Sequence, residues 1–167
     1  MCIRDSRNVR REPMGRNRPG GKAGWTELFF LDEVTALAAG HRPCFFCRRE
    51  RASDFVSRFG EAFGIAEPRA PMLDKRLHRE RLASGGRAPA VKPQELAALP
   101  DGSVVADGAT AYALRAGRAL RWSFAGYGIP EGFADLAGRP LRLVTPATTI
   151  AVLLRGYVPA WHPSAEA

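Results

Sequence analysis

Apolar positions are spaced for helices through the first hundred residues and for strands beyond them, with the turn signal Pro100-Asp101-Gly102 at the change. The run from Trp25 to Leu31 is mostly aromatic and aliphatic, the pattern of a short buried strand. Asp32 follows as an N-cap for a two-turn helix over Glu33 to Ala39, which Gly40 closes. Phe55, Phe59 and Phe63 recur at every fourth position with Ala52, Val56 and Ala62 beside them, which predicts an amphipathic helix over Arg49 to Phe63 facing the core. Pro68 and Pro71 mark a loop, and Leu73, Leu77 and Leu82 predict a second helix from Met72 to Ala83 that stops at Ser84-Gly85-Gly86. A short helix is expected from Pro93 to Leu99.

Beyond it, Asp107-Gly108 and Ala116-Gly117-Arg118 separate segments of strand character. These are Ser103 to Ala106, Thr110 to Leu114, Ala119 to Ser123 and Leu141 to Thr145, which together predict a small antiparallel sheet. A terminal helix over Ala147 to Arg155, stopped by Gly156, is expected to pack on that sheet. Tyr157 to Ala167, with Pro159 and Pro163, reads as an extended tail. The fold class is therefore α+β: an N-terminal strand-helix-Cys knuckle-helix module over 25–99, then the small antiparallel sheet with its C-terminal helix over 100–167, packed together as one globular unit.

Residues 1–24 carry Arg4, Arg7, Arg10, Arg11, Arg16, Arg18 and Lys22 with few apolar residues, a composition unable to offset its own ordering entropy. A disordered basic arm is expected there. Met1-Cys2-Ile3-Arg4-Asp5-Ser6 resembles the translated adapter sequence that begins many metagenomic reading frames. The native N-terminus is thus expected to lie upstream, with Cys2 not a biological ligand.

Composition adds two constraints. With 167 residues, 46% of them hydrophobic, the chain can bury a core without disulfides, and its three cysteines do not form a secreted framework. No apolar run of spanning length and no signal peptide pattern occurs, so a cytoplasmic protein without membrane contact is expected. The net charge of +8 favours a polyanionic partner through counterion release. GC-rich coding produces the same arginine excess, since lysine occurs only at Lys22, Lys75 and Lys92.

Candidate chemistry centres on Gly40-His41-Arg42-Pro43-Cys44-Phe45-Phe46-Cys47-Arg48-Arg49-Glu50. Two thiolates at Cys-x-x-Cys spacing can aim at one Zn2+ from a tight turn, and the neighbouring arginines favour the thiolate form. Tetrahedral zinc needs two more ligands. The same pair is also compatible with small buried hydrophobes or a redox dithiol. Arg42, Arg48, Arg49 and Arg51 are candidate phosphate contacts held near the knuckle.

The run from Phe29 to Glu50 resembles the second half of the Ada-type metal-binding domain, in which a strand and a helix lead into Ala-Gly-x-Arg-Pro-Cys-x-x-Cys. The resemblance implies that Cys44 and Cys47 are zinc ligands, completed by an upstream cysteine pair, and it implies a link to bacterial DNA alkylation repair or regulation. Residues 10–25 contain no cysteine, so methyl transfer is not carried over. The whole is also similar to a bacterial family built on Gly-His-Arg-Pro-Cys-x-x-Cys-Arg, which implies no particular activity.

Other positions carry competing readings. Asp74 and His78, four apart on the second predicted helix with Arg81 beyond, suit either an acid/base pair or a solvated charged face. His41 is a ligand, a phosphate contact next to Arg42, or a surface histidine beside a turn. Trp122-Ser123-Phe124-Ala125-Gly126-Tyr127-Gly128 combines aromatics and glycines able to stack a base or sugar, or simply to fill a core. Thr145-Pro146-Ala147-Thr148-Thr149 suits helix capping or an anion. The leading expectation is a zinc-associated nucleic-acid-binding protein. The alternatives are an enzyme using Asp74 and His78 between two lobes, and a metal-stabilised interaction domain.

Overall fold

The computed structural model describes residues 2–5, 26–83, 88–108 and 110–166. Strand β1 (Cys2–Asp5) pairs antiparallel with β2 (Thr26–Phe29); the remainder of the expected basic arm lies outside the described residues. Helix α1 (Glu33–Ala38) starts as its sequence predicts, with Asp32 Oδ1 accepting the Thr35 N–H at 2.8 Å. Gly40, at φ +77°, turns the chain out of it.

Helix α2 (Arg49–Phe63) and helix α3 (Ala70–Ala83) stand against each other and against helix α4 (Ala147–Leu154). Helix α3 begins two residues before the expected Met72 because Pro71 is tolerated in a first turn, where its missing N–H has no intrahelical role. Leu37, Phe55, Val56, Phe59, Leu73, Leu77, Val152, Leu153 and Tyr157 form the core among these helices. Helix α4 was expected on the sheet; it packs chiefly on α2 and α3 instead, since Val152 and Leu153 complete the cavity between the Phe55/Phe59 and Leu73/Leu77 faces.

The sheet has five antiparallel strands in the order β6-β5-β4-β3-β7: β3 (Val104–Asp107), β4 (Thr110–Arg115), β5 (Arg118–Ser123), β6 (Gly126–Gly132) and β7 (Arg142–Leu143). Both faces are covered. Val104, Ala113, Leu120 and Tyr127 meet Val34 and Ala38 of α1 together with Ala165. Val105, Tyr112, Leu114 and Ala119 meet Leu96 and Leu136 from two short 3-10 helices, Pro93–Ala98 and Phe133–Leu136. Helix α1 therefore belongs to two cores, sending Leu37 to the helices and Val34 to the sheet.

Strand β6 was not expected. Its glycines and Pro130 interrupt the alternation that marks a strand, yet an edge position accommodates a proline, and a register shift between Leu120 and Trp122 accommodates the extra residue. Strand β7 is shorter than expected because the Thr145 hydroxyl, rather than a backbone carbonyl, accepts the Val104 N–H at 2.8 Å. Among the described residues no helix is long and apolar enough to cross a membrane.

Candidate metal and nucleic-acid site

The loop leaving α1 carries His41, Arg42 and Pro43 into a tight turn at Phe45 to Cys47, from which α2 departs. Cys44 is buried and Cys47 exposed. The Phe46 N–H points at Cys44 Sγ at 3.4 Å, and the Arg48 N–H donates to the Cys44 carbonyl at 2.8 Å. A donor aimed at sulfur favours the thiolate, the form that ligates metal. Two thiols are half the number of ligands that tetrahedral zinc takes. Among the described residues no three His, Cys, Asp or Glu side chains come together, and the segment where the Ada-type resemblance implies an upstream pair lies outside them.

Helix α3 holds this loop in place. Arg42 donates from Nε to Asp74 Oδ1 at 2.7 Å and from Nη2 to Oδ2 at 2.8 Å, while Nη1 reaches the Pro43 carbonyl at 3.0 Å. The fork is two-pronged and the Arg42 side chain only 12% exposed. Seven residues on, Arg81 lies over Gly40 so closely that a Cβ there would stand 3.0 Å from its Cδ. His78, between Asp74 and Arg81 on the same helical face, is half-buried. The Asp74 carboxylate is given to Arg42, and no hydrogen bond joins it to His78. His41 rests against the Phe30 ring, centroids 5.3 Å apart.

The candidate phosphate-binding arginines fall into two groups. Arg42 is fixed to Asp74. Arg51 turns inward, donating from Nε at 3.0 Å to both oxygens of Glu33 and from Nη2 to Glu33 Oε2 and, at 2.8 Å, to the Val158 carbonyl. The hydrogen bond and charge of Glu33 hold the Arg51 pKa above its usual value. Arg49 is exposed and Arg48 half-buried, so these two remain at the surface beside Cys47.

Glu33 is the residue that sequence reasoning missed. Its carboxylate is fully buried, and besides Arg51 it accepts from Tyr157 Oη at 3.0 Å and from the Ala160 N–H at 2.8 Å. Adjacent Asp32 accepts from Tyr127 Oη at 2.8 Å and from the His162 N–H at 3.1 Å. Burial, then the neighbouring carboxylate charge, raises both phenols: Asp32 acts on Tyr127 and Glu33 on Tyr157. The one available signal was a pair of acids opening an otherwise apolar helix.

Away from the knuckle, Thr148 is buried and gives its backbone N–H to Glu80 Oε2 at 3.1 Å and its hydroxyl to Oε1, so a neighbouring carboxylate already occupies the α4 N-terminus suggested for an anion. Ser164 Oγ is hydrogen-bonded to His162 Nδ1 at 2.8 Å and accepts the Tyr127 N–H at 2.8 Å, which ties the chain after α4 to β6. Trp122 packs partly into the sheet core, while Phe124 stays outside it. No family model matches the chain, and comparison with curated proteins and with solved structures likewise gives no match.

Proposed function

We propose that this is a zinc-associated nucleic-acid-binding protein in which Cys44 and Cys47 supply half of a structural zinc site and Arg48 and Arg49 meet phosphate. The observation that carries the reading is the Phe46 N–H directed at Cys44 Sγ within a turn that leads straight into α2. Zinc there would pin the turn and so fix where the first basic residues of α2 point. The Arg42–Asp74 and Arg51–Glu33 forks brace that turn from α3 and α1. Arg42 and Arg51 are accordingly positioning residues in this reading, and phosphate contact falls to the two that are less engaged. The Ada-type resemblance directs the reading toward DNA repair or regulation, and reduced thiols suit the cytoplasm.

Metal content of the purified chain, of a form extended upstream in its reading frame, and of Cys44→Ser in each tests the first half. Stoichiometric zinc lost with Cys44→Ser supports the site, and absence of metal from both parent forms overturns it. Titration of a duplex oligonucleotide at several salt concentrations tests the second half. Affinity should fall steeply with salt, and Arg49→Ala should lower the log–log slope by about 1. Affinity independent of salt would refute phosphate contact.

A further inference from the structure

Cys44 and Cys47 are both reduced, and their surroundings differ sharply. Cys44 is 8% exposed, whereas Cys47 is open to solvent. A pair kept only as small apolar packing would be buried at both positions. The backbone between them is a single helical turn: the Arg48 N–H donates to the Cys44 carbonyl at 2.8 Å, closing residue i+4 onto residue i around Phe45, Phe46 and Cys47. In such a turn residues three apart stand on one side, with Cβ atoms about 5–6 Å from each other. A disulfide needs about 3.5–4.5 Å between Cβ atoms, so joining the two sulfurs asks for a movement of about 1–2 Å.

The flanks confine that movement to the turn. On one side Arg42 is forked onto Asp74 and reaches the Pro43 carbonyl at 3.0 Å; on the other, α2 starts at Arg49 and is tied through Arg51 to Glu33. Phe46, at the middle of the turn, lies outside the helical core and is 72% exposed. The Phe46 N–H, aimed at Cys44 Sγ at 3.4 Å, keeps the inner sulfur against the turn's own backbone. A solvent-exposed thiol, three residues from a second thiol that the same turn shields, has the arrangement of a peroxide-reactive cysteine beside its resolving partner.

We infer that Cys44 and Cys47 form a reversible disulfide on meeting a hydroperoxide, with Cys47 as the reacting thiol and Cys44 as the resolving one. The Cys47 sulfur attacks the terminal oxygen of ROOH, the O–O bond breaks, the thiol proton leaves with the alkoxide as ROH, and Cys47 becomes a sulfenic acid. Cys44 Sγ then attacks Cys47 Sγ; the S–O bond breaks, hydroxide departs as water with the Cys44 proton, and the S–S bond forms. Two electrons pass from the thiol pair to the peroxide, and a dithiol reductant returns them. The step needs only the two sulfurs and so goes beyond the zinc reading. On that reading it adds regulation, because sulfurs joined to each other no longer ligate and the metal would be released.

The test treats the full chain, carrying Cys2→Ser so that only this pair can react and stripped of metal by a chelator, with hydrogen peroxide and follows it by mass spectrometry. The tryptic peptide ending at Arg48 holds both cysteines, since no Lys or Arg lies between them, and it should lose two hydrogen atoms and regain them with dithiothreitol. Adding Cys44→Ser should stop the reaction at a Cys47 sulfenic acid that dimedone captures, and Cys47→Ser should leave Cys44 reacting at least about tenfold more slowly than Cys47 does. Should Cys44→Ser disturb the fold, the peptide mass from the otherwise unaltered turn still decides. Peroxide that carries the cysteines to sulfinic acid without the loss of two hydrogens, or that links two chains instead, would overturn the inference. Zinc content of the reduced chain is measured separately. A disulfide formed by a chain that takes up no zinc keeps this inference and removes the metal reading, whereas zinc uptake by a chain whose pair never joins does the reverse.

Discussion

Replacing Glu33 by glutamine should be among the most damaging conservative changes in this protein. The side chain has 0% exposure, and three separate groups donate to it: the Arg51 guanidinium, Tyr157 Oη at 3.0 Å and the Ala160 N–H at 2.8 Å. An amide of the same size keeps one acceptor oxygen and turns an NH2 toward donors, so at least one buried N–H or O–H loses its partner. Breaking a buried ion pair from one side costs about 3–5 kcal/mol. The Arg51 side chain is 36% exposed and can recover some hydration, which lowers the expectation to about 2–4 kcal/mol. In a chain of this length that corresponds to a fall in Tm of roughly 5–15 °C. Circular dichroism melts and urea titrations of Glu33→Gln, Arg51→Met and the double variant give the measurement. The double variant should be less destabilised than the sum of the singles by about 1–3 kcal/mol, because each single strands the other charge. Strict additivity, or a Tm within about 2 °C of the parent for Glu33→Gln, would refute the view that this buried pair holds the last segment to α1.

Three further outcomes follow from the geometry. Asp74→Asn removes the charge facing a nearly buried Arg42 and should cost about 2 kcal/mol in urea unfolding, with faster amide exchange over residues 41–48 as the local signature; an unchanged exchange pattern would contradict the bracing role. Gly40→Ala must place a side chain at φ +77° and 3.0 Å from Arg81 Cδ, so a loss of about 1–2 kcal/mol is expected, and a neutral result would mean the turn relaxes freely. The phenols of Tyr127 and Tyr157 are raised in the folded state, so their contribution to stability is complete below the unfolded tyrosine value of about 10 and is lost as pH climbs from there toward the folded values. The urea midpoint should therefore hold steady to about pH 9 and decline above about pH 10, less steeply in Tyr157→Phe, and a flat profile would sink this assignment.

What the sequence disclosed was whatever repeats locally. The bounds of α2 coincide with its four-residue phenylalanine spacing, and Asp32 caps α1 as its side-chain chemistry demands. Strand β6 escaped because Gly126, Gly128 and Pro130 erase the period-two signal, and only pairing with β5 makes the segment a strand. The same limit applies to the site. Cys-x-x-Cys spacing is visible within four residues, but Arg42, Arg48, Arg49 and Arg51 look alike in a basic run. Their different roles come from Asp74, 32 positions from Arg42, and Glu33, 18 positions from Arg51. Glu33 itself reads as an ordinary first-turn acid favoured by the helix dipole, and its burial is decided by residues far along the chain.

The placement of those partners sets the order in which the molecule can be assembled as it is synthesised. Glu33 waits for Tyr157 and Ala160, made 124 and 127 residues later, and Asp32 waits for His162, made 130 residues later. Val152, Leu153 and Tyr157 are also needed to finish the core around Leu37 and Phe55. A nascent chain that has emerged only through the sheet can form α2 and the β3–β5 meander, but α1 cannot settle fully, because burying its carboxylates before Tyr157, Ala160 and His162 join Arg51 and Tyr127 as their donors is costly. The apolar side of α1 thus stays open to solvent during most of translation. Closure comes in one late step that engages both cores together, which predicts slow, cooperative refolding and makes the unfinished chain, more than the finished one, the species prone to aggregate.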